Sequence, residues 1–218
     1  MRAVAPALCL AILGVLATYV AVKGLPPTTT SRPQALGQRL SLLNIHKRGN
    51  NTARTVLVVF SDFECPYCGE FARDRLPTVI RQFVDAGTLL VGFQHLPLVT
   101  LHPLALEVAT FAECASQQID FWDVHDRLFS NQTQLDATRR GRLFRNSPLN
   151  VSKMSDCMAG PTPSVVAGGT EIARRLGLTS TPALVLGRNL GAELEVTEVL
   201  EGVPTVEQLA AALNRQRR

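Results

Sequence analysis

The sequence predicts an α/β domain in which a block of helices is inserted between the strands, with an apolar segment before the domain. Three observations support this fold class. The short apolar run at residues 56–60 is rich in β-branched side chains, which is typical of a buried strand. This run leads into a segment with helical spacing, and two cysteines stand at the junction. Further apolar strands flank a long stretch with helical periodicity.

The N-terminal segment is predicted to be a membrane anchor. Residues 3–22 carry no charge and lie between Arg2 and Lys23. Their number is about what a helix needs to cross a bilayer. Because the C-terminal flank offers no good small-residue cleavage site, residues 1–22 are predicted to be an uncleaved signal anchor with a single transmembrane helix. Cleavage followed by secretion is the alternative, and in both cases the remainder is exported.

Residues 23–54 are predicted to be a linker, because Pro, Thr and basic residues dominate them and cannot bury a core. Within the linker, residues 35–45 have some apolar character and are a candidate packed lead-in. The folded domain is predicted to span residues 55–218. No acidic residue precedes Asp62, so the net charge of +4 comes from the N-terminal part, and the domain is nearly neutral. This distribution gives no indication of nucleic-acid binding.

Cys65 and Cys68 are the candidate reactive residues, with Pro66 and Tyr67 between them. Pro66 suits the first position of a helix, which makes Cys65 the N-cap. A thiolate at this position faces free backbone N–H groups and the positive end of the helix dipole, and both lower the pKa of the thiol. The spacing therefore predicts a nucleophilic Cys65 and a resolving Cys68. Half a zinc site or an inert pair are the alternatives, although the chain has no second CxxC motif.

Apolar periodicity defines the remaining elements. The helix after the cysteines is expected to kink at Pro77. Residues 102–178 have helical spacing almost throughout and are predicted to form the inserted block. The later strands and the closing helix are predicted at residues 89–93, 183–186, 193–199 and 206–213.

Four stretches resemble the thioredoxin-fold disulfide oxidoreductases of the DsbA-like family, in its membrane-anchored or secreted bacterial branch. They are FSDFECPYC at residues 60–68, HLPL with HP at 95–98 and 102–103, FWDVHDRLF at 121–129 and GLTSTPA at 177–183. The first and last are specific, and together the four span about residues 55–213. The resemblance implies a thioredoxin fold with an inserted helical subdomain. It also implies a protein disulfide oxidoreductase that needs no cofactor and no metal.

The resemblance further implies roles for residues outside the cysteine motif. Pro182 would be a cis-proline that faces the two cysteines, and the backbone of Thr181 would pair with an extended substrate segment. A trans proline that starts a strand is the alternative. A second disulfide, Cys114–Cys157, would lie within the helical block, and an oxidising compartment favours such a bond. Two unlinked core cysteines are the alternative.

Val59 is one clear departure from the family pattern. Many relatives place a buried Glu or Asp six residues before the first cysteine, where it accepts the proton of the resolving thiol. Asp62 and Glu64 are nearer to the motif, but we expect their side chains to be more solvated. Glu64 or a water molecule is therefore the candidate proton acceptor for Cys68.

The predicted function is thiol–disulfide exchange on exported proteins, and the leading prediction is a disulfide-forming oxidase. Oxidants of the family often carry a histidine where this chain has Tyr67, so a milder oxidant, a reductase or an isomerase stays open. The resemblance implies a membrane partner that reoxidises the protein, either quinone-linked or similar to vitamin K epoxide reductase. The predicted location is the bacterial inner membrane with the catalytic domain in the periplasm, or secretion after cleavage.

Two other classes of function stay open. An exported copper-binding module would use Cys65, Cys68 and His95, although such modules usually space their cysteines by three residues and this chain has no Met-rich tract. A redox-inactive, tethered folding or binding domain is the other class. His95, His102 and His125 are otherwise expected to be structural or solvated, and Phe121 and Trp122 are expected to pack in the core.

Overall fold

The computed structural model describes residues 33–216. A six-stranded mixed sheet forms its centre, in the order β1-β6-β5-β3-β4-β2. The strands are β1 (Arg39–Ser41), β2 (His46–Gly49), β3 (Thr55–Ser61), β4 (Leu89–His95), β5 (Ala183–Asn189) and β6 (Glu193–Glu201). The helices are α1 (Pro66–Glu70), α2 (Leu76–Val79), α3 (Ala105–Ser116), α4 (Phe121–Ser130), α5 (Ala137–Leu143), α6 (Val151–Ala159), α7 (Ser164–Leu176) and α8 (Val206–Arg215). The predicted α/β class with an inserted helical block is confirmed, since α3 to α7 lie between β4 and β5.

The central strands β3 and β4 run parallel and are buried along their whole length. Their nearly continuous apolar sequence is what a strand covered on both faces requires. β5 pairs antiparallel with β3, and the register places Phe60 opposite Ala183. Pro182, the residue before Ala183, therefore lies beside the C-terminal end of β3, where the chain continues to the cysteines.

Alternate residues of β3 face two apolar cores. Leu57 and Val59 belong to the core that also contains the cysteines and the side chains of α3 and α4. Val56, Val58 and Phe60 belong to the core that is completed by α7 and β1. The period-2 alternation of a strand thus lets one short run support both layers of helices.

The helical segment after the cysteines changes its hydrogen-bonding pattern along its length. Two π-helical stretches, Phe71–Arg75 and Ile80–Val84, lie on either side of α2. Pro77 lies within α2 and has no backbone N–H to donate to the preceding turn. The irregularity expected at Pro77 therefore takes the form of a change between α- and π-helical bonding.

The linker predicted at residues 23–54 is wrong in its second half. β1 and β2 lie inside it and form the two edges of the sheet. Leu40 and Ile45 are buried there, so the folded domain begins well before residue 55. Neither strand is longer than four residues, and β2 has no apolar side chain, so no alternating pattern was long enough to reveal them. Short polar strands are common at sheet edges, where they discourage pairing with other chains.

The predicted signal anchor at residues 1–22 and the beginning of the linker lie outside the described residues. Between residues 33 and 216, none of the helices has the length and apolar character that a membrane crossing requires.

Candidate active site

Cys65 and Cys68 lie where β3 passes into α1. Both are free thiols, not joined in a disulfide, and both are buried. Cys65 is the N-cap of α1, and Pro66 occupies the first helical turn. The Gly69 N–H donates to the Cys65 carbonyl at 3.1 Å, which closes the first turn around the motif. The sequence Cys-Pro thus starts the helix so that the Cys65 thiol lies beside the free N–H groups of its first turn.

The local contacts lower the pKa of Cys65 to about 5, from an ordinary value of 9.0. The hydrogen bond from the Cys68 side chain is the largest cause. Burial acts in the opposite direction, whereas the Thr181 side chain and the backbone N–H groups of Cys68 and Tyr67 add to the lowering. Each of these donors stabilises the charged form over the neutral form. At neutral pH Cys65 is therefore largely a thiolate, which is the nucleophilic form.

Cys68 has the opposite acidity. Burial is the main reason that the pKa of its thiol is raised well above 9.0, and the hydrogen bond and charge of Cys65 act in the same direction. The Asp62 N–H donates to Cys68 Sγ at 3.4 Å. Cys68 therefore keeps its proton while Cys65 is ionised, and that proton is the one that stabilises the Cys65 thiolate.

Thr181 and Pro182 face Cys65 from the start of β5. The Thr181–Pro182 peptide bond is cis. The Cys65 thiol approaches the Thr181 carbonyl oxygen, with 3.5 Å between Sγ and O. Thr181 Oγ1 is buried and has no hydrogen-bond partner among the described residues. Its hydroxyl is therefore available as a donor, and the Thr181 side chain contributes to the lowered pKa of Cys65.

Val59, the departure from the family pattern noted above, packs in the same apolar core as Cys68. Glu64, the candidate replacement, is only partly buried, and its carboxylate is engaged elsewhere. Its Oε2 accepts the N–H of Leu104 at 2.7 Å, at the beginning of α3. Glu64 therefore connects the cysteine loop to the helical block, and no contact of its carboxylate with Cys68 is present in the described residues.

Asp62 was expected to be solvated, and this expectation is wrong. The residue is only 2% exposed. Its Oδ1 accepts the N–H of Glu64 at 2.9 Å, and its Oδ2 accepts the N–H of Leu98 at 2.9 Å. His102 Nδ1 lies 2.8 Å from the same Oδ2. These three contacts compensate for the loss of water around the carboxylate, and they hold the chain between β3 and the cysteines against the loop after β4.

Gln132, which the sequence pattern did not reveal, is part of the site. Its Nε2 donates to the carbonyl oxygens of Phe63 and Cys65 at 2.9 and 2.8 Å. Arg73 donates to Gln132 Oε1 at 3.0 Å, so both ends of the amide are held. A Cβ atom at Gly69 would lie 1.9 Å from that oxygen, and the glycine therefore permits the close approach. Gln132 is 67 residues from Cys65 in the chain, and no local periodicity connects the two.

Cys114 and Cys157 form a disulfide that joins α3 to α6. Cys114 is buried. By contrast, α6 has no fully buried residue, and Met154 and Met158 pack only partly against the core. The disulfide is therefore the strongest single attachment of α6 to the rest of the helical block.

The three histidines that were considered as ligands do not gather around the cysteines. Each is paired with a carboxylate: His95 with Glu113, His102 with Asp62 and His125 with Asp126. Burial lowers the pKa of both His95 and His125, although the partner carboxylates act against it. Phe121 and Trp122 lie in the core as expected. The ligand set of the copper-module hypothesis, two cysteines with His95, is thus not assembled in the described residues.

A Cys-x-x-Cys pair at the start of a helix, beside a cis-proline and on a mixed sheet, is the arrangement of the thioredoxin class of proteins. Comparison with known families gives the same result. The family model described as Thioredoxin matches residues 43–212, and the chain belongs to this family.

The solved structures that are similar include DsbA-type proteins. The alpha-DsbA1 protein of Wolbachia pipientis has a TM-score of 0.71 and 20% identity, and the match covers 86% of this chain and 96% of that one. Oxidised BdbD from Bacillus subtilis has a TM-score of 0.68 and 18% identity, with 84% and 97% covered. These likenesses concern the fold. They confirm the thioredoxin fold with an inserted helical subdomain that the motifs indicated.

Curated relatives match shorter parts of the chain. Disulfide bond formation protein D of Bacillus subtilis is 32% identical over 87 residues, which is 38% of each protein. The Na(+)/H(+) antiporter NhaA 3 of Salinispora tropica is 40% identical over 114 residues, which is 52% of this chain and 17% of the antiporter. The chain therefore spans only a small part of the length of the antiporters that it matches.

Proposed function

We propose that this chain is a thiol–disulfide oxidoreductase that introduces disulfide bonds into exported proteins. The observation that carries the proposal is the difference in acidity between the two thiols, with the pKa of Cys65 lowered to about 5 and that of Cys68 raised. A stabilised Cys65 thiolate favours the reduced pair, and a pair that is stable when reduced is a strong oxidant as a disulfide. The likeness to alpha-DsbA1, BdbD and disulfide bond formation protein D supports oxidation of substrate thiols as the direction of the reaction.

In the proposed reaction, a substrate thiolate attacks Cys65 Sγ in the Cys65–Cys68 disulfide. A substrate–Cys65 bond forms, the Cys65–Cys68 bond breaks, and Cys68 leaves as a thiolate that takes up a proton because its pKa is high. A second substrate thiolate then attacks the substrate sulfur of the mixed disulfide. Cys65 leaves as a thiolate, and its low pKa makes it a good leaving group. The substrate gains one disulfide, and the chain retains two reduced cysteines.

The residues around the pair have distinct proposed roles. Pro66 starts α1, and the backbone N–H groups of the first turn of this helix stabilise the leaving Cys65 thiolate. Glu64 holds the loop before Cys65 against the helical block. The backbone of Thr181, which Pro182 holds opposite Cys65, would pair with an extended substrate segment. Tyr67 is 63% exposed and lies within the motif, so it would contact the substrate directly. These assignments require no cofactor and no metal.

We further propose that the domain works outside the cytoplasm. The Cys114–Cys157 disulfide supports this location, because such bonds persist in oxidising compartments. Residues 1–22 would anchor the chain in the bacterial inner membrane with the domain in the periplasm, or would be cleaved for secretion. Each turnover leaves the cysteines reduced, so the proposed cycle needs a membrane redox partner as electron acceptor, either quinone-linked or similar to vitamin K epoxide reductase.

The redox potential of the cysteine pair distinguishes an oxidase from a reductase. We expect the full chain, equilibrated with glutathione buffers and scored by thiol labelling, to have a potential more positive than about −200 mV, in the range of oxidants and isomerases. The stabilised Cys65 thiolate is the physical reason. A potential near the value of thioredoxin, about −270 mV, would contradict the oxidase and leave a reductase.

A further inference from the structure

We propose that His46, His95 and Glu113 form a binding site for a divalent transition-metal ion, with Zn²⁺ as the preferred ion. The ligand atoms of these three side chains all lie within 4.8 Å of one another. The site is separate from the two cysteines. The sequence predicted no metal site. His95 was a candidate ligand only together with Cys65 and Cys68, and neither His46 nor Glu113 had a predicted role.

The geometry of the three side chains is close to that of a zinc site. Glu113 Oε1 lies between two imidazoles, 2.7 Å from His46 Nε2 and 2.6 Å from His95 Nε2. Zn²⁺ binds imidazole nitrogen and carboxylate oxygen at about 2.0–2.2 Å, often with two histidines and one glutamate. Ligands at those distances in a tetrahedron are roughly 3.3 Å apart. Each imidazole nitrogen would therefore need to move only about 0.6–0.7 Å away from Glu113 Oε1 to reach this spacing.

Three different elements hold these ligands in place. His46 lies on β2, directly opposite Phe93 of β4, and His95 is two residues further along β4. The two histidines are therefore diagonal neighbours on one face of the sheet. The His46 ring also stacks on Phe121, with 3.6 Å between ring centroids, which restricts its rotation. Glu113 reaches the same point from α3, so the ligands are preorganised by the sheet and by the helical block.

The surroundings of Glu113 also suit a cation. Its carboxylate contacts two imidazoles, and a carboxylate with imidazole nitrogens is a ligand set that binds transition metals. Glu113 is 8% exposed and has no Lys or Arg partner in the part of the chain that the structure describes, so a divalent ion would compensate a buried negative charge.

A cavity of about 320 Å³ opens onto this cluster. His46 and Glu113 line it together with the polar residues Asn44 and Ser164. The cavity provides a path for an ion and room for a water molecule as the fourth ligand. Sites with three protein ligands and an open position are typical of zinc centres that exchange their fourth ligand. The bound ion would also fasten the edge strand β2 to α3.

The test is a Zn²⁺ titration of the full chain after chelation, with Cys65 and Cys68 kept as a disulfide so that they cannot bind the ion. We expect one Zn²⁺ per chain, accompanied by a higher thermal unfolding temperature. His46→Ala should weaken the binding by at least about 100-fold, the upper end of the loss that follows from removing a supporting residue of a metal site. His102→Asn is the matched control, because His102 also pairs with a buried carboxylate. The Zn²⁺ affinity of this variant should equal that of the parent.

Glu113→Gln separates loss of a ligand from loss of the fold. The amide preserves the size of the side chain, so the variant should keep its circular dichroism spectrum and its reaction with substrate thiols while losing Zn²⁺ affinity. The proposal is overturned if the oxidised chain binds no stoichiometric Zn²⁺, or if only the reduced chain binds it. Equal affinity in the parent, His46→Ala and Glu113→Gln would likewise place the ion elsewhere and leave the three side chains as a hydrogen-bonded cluster.

Discussion

Replacement of Cys65 by serine is expected to reduce disulfide exchange by the full chain to the uncatalysed rate. A serine hydroxyl forms no disulfide, and the buried Cys68 has a raised pKa, so it is protonated and unreactive at neutral pH. The measurement is the loss of free thiols from a reduced substrate protein mixed with the oxidised parent or with the variant. Undiminished thiol loss with Cys65→Ser would contradict the role of Cys65 as the nucleophile. Thiol loss at the uncatalysed rate with the parent would favour the redox-inactive folding domain over the oxidoreductase.

The matched variant Cys68→Ser should fail in a different way. The Cys65–Cys68 disulfide cannot form in this variant, so it should not oxidise reduced substrates. Its Cys65 thiolate can still attack the disulfide of an oxidised substrate protein, and without the Cys68 thiol to displace the substrate, mixed disulfides should accumulate. They appear as species of higher mass that a reductant removes. The double variant Cys114→Ala/Cys157→Ala is the control for cysteine content and should exchange disulfides like the parent. Equal loss in Cys65→Ser and Cys68→Ser, without any trapped intermediate, would contradict the assigned roles.

Removal of the Cys114–Cys157 disulfide is expected to lower the free energy of unfolding by about 3–4 kcal/mol. The bond closes a loop with a sequence separation of 43 residues, so its loss increases the conformational freedom of the unfolded chain. The folded state is affected as well, because α6 has no fully buried residue. Urea unfolding of the Cys114→Ala/Cys157→Ala variant, compared with the parent, measures the change.

The control for this stability prediction is Cys65→Ser/Cys68→Ser, which removes the other cysteine pair and leaves the α3–α6 bond intact. Both double variants should be compared under oxidising conditions. A loss below about 1 kcal/mol in Cys114→Ala/Cys157→Ala, well under the usual contribution of a disulfide, would show that packing of Met154 and Met158 holds α6 without the bond. Faster proteolysis within α6 is the expected local sign of the loss.

Local patterns predicted the elements whose chemistry is contained in neighbouring residues. The buried strand β3 is one apolar run in the sequence, and the Cys-Pro pair indicates the start of α1. Neither prediction requires the rest of the fold. The inserted block is strongly periodic, and the range predicted for it, residues 102–178, contains all five helices from α3 to α7. The short edge strands β1 and β2 lack such a pattern, and only the neighbouring strands β6 and β4 make them part of the sheet.

Contacts between distant residues explain what the sequence did not reveal. Asp62 is buried because Leu98 and His102, 36 and 40 residues away, bind its carboxylate. Gln132 reaches the cysteine loop from the helical block, and Glu113 meets His46 across 67 residues of sequence. A polar residue on a loop or helix carries no sign of such a partner. A buried carboxylate is therefore indistinguishable from a solvated one until the fold places its donors around it.

The central claim is that the pKa of Cys65 is low, because both the proposed oxidation of substrates and its mechanism depend on this pKa. A depressed folded-state pKa adds stability above the unfolded value near 9.0 and loses it as the pH falls towards about 5. The reduced protein should therefore become less stable as the pH is lowered from about 9 to 5, apart from the titration of other groups. Thr181→Val, which removes the hydroxyl donor, should raise the pKa of Cys65.

The most direct measurement is the pH dependence of Cys65 alkylation in the reduced full chain, with Cys65→Ser as the blank for Cys68. The structure predicts a single transition with a midpoint at about 5 that is absent from Cys65→Ser. A midpoint near the ordinary cysteine pKa of 9.0 would contradict the account, because an unperturbed Cys65 would be neither a stabilised thiolate nor a good leaving group.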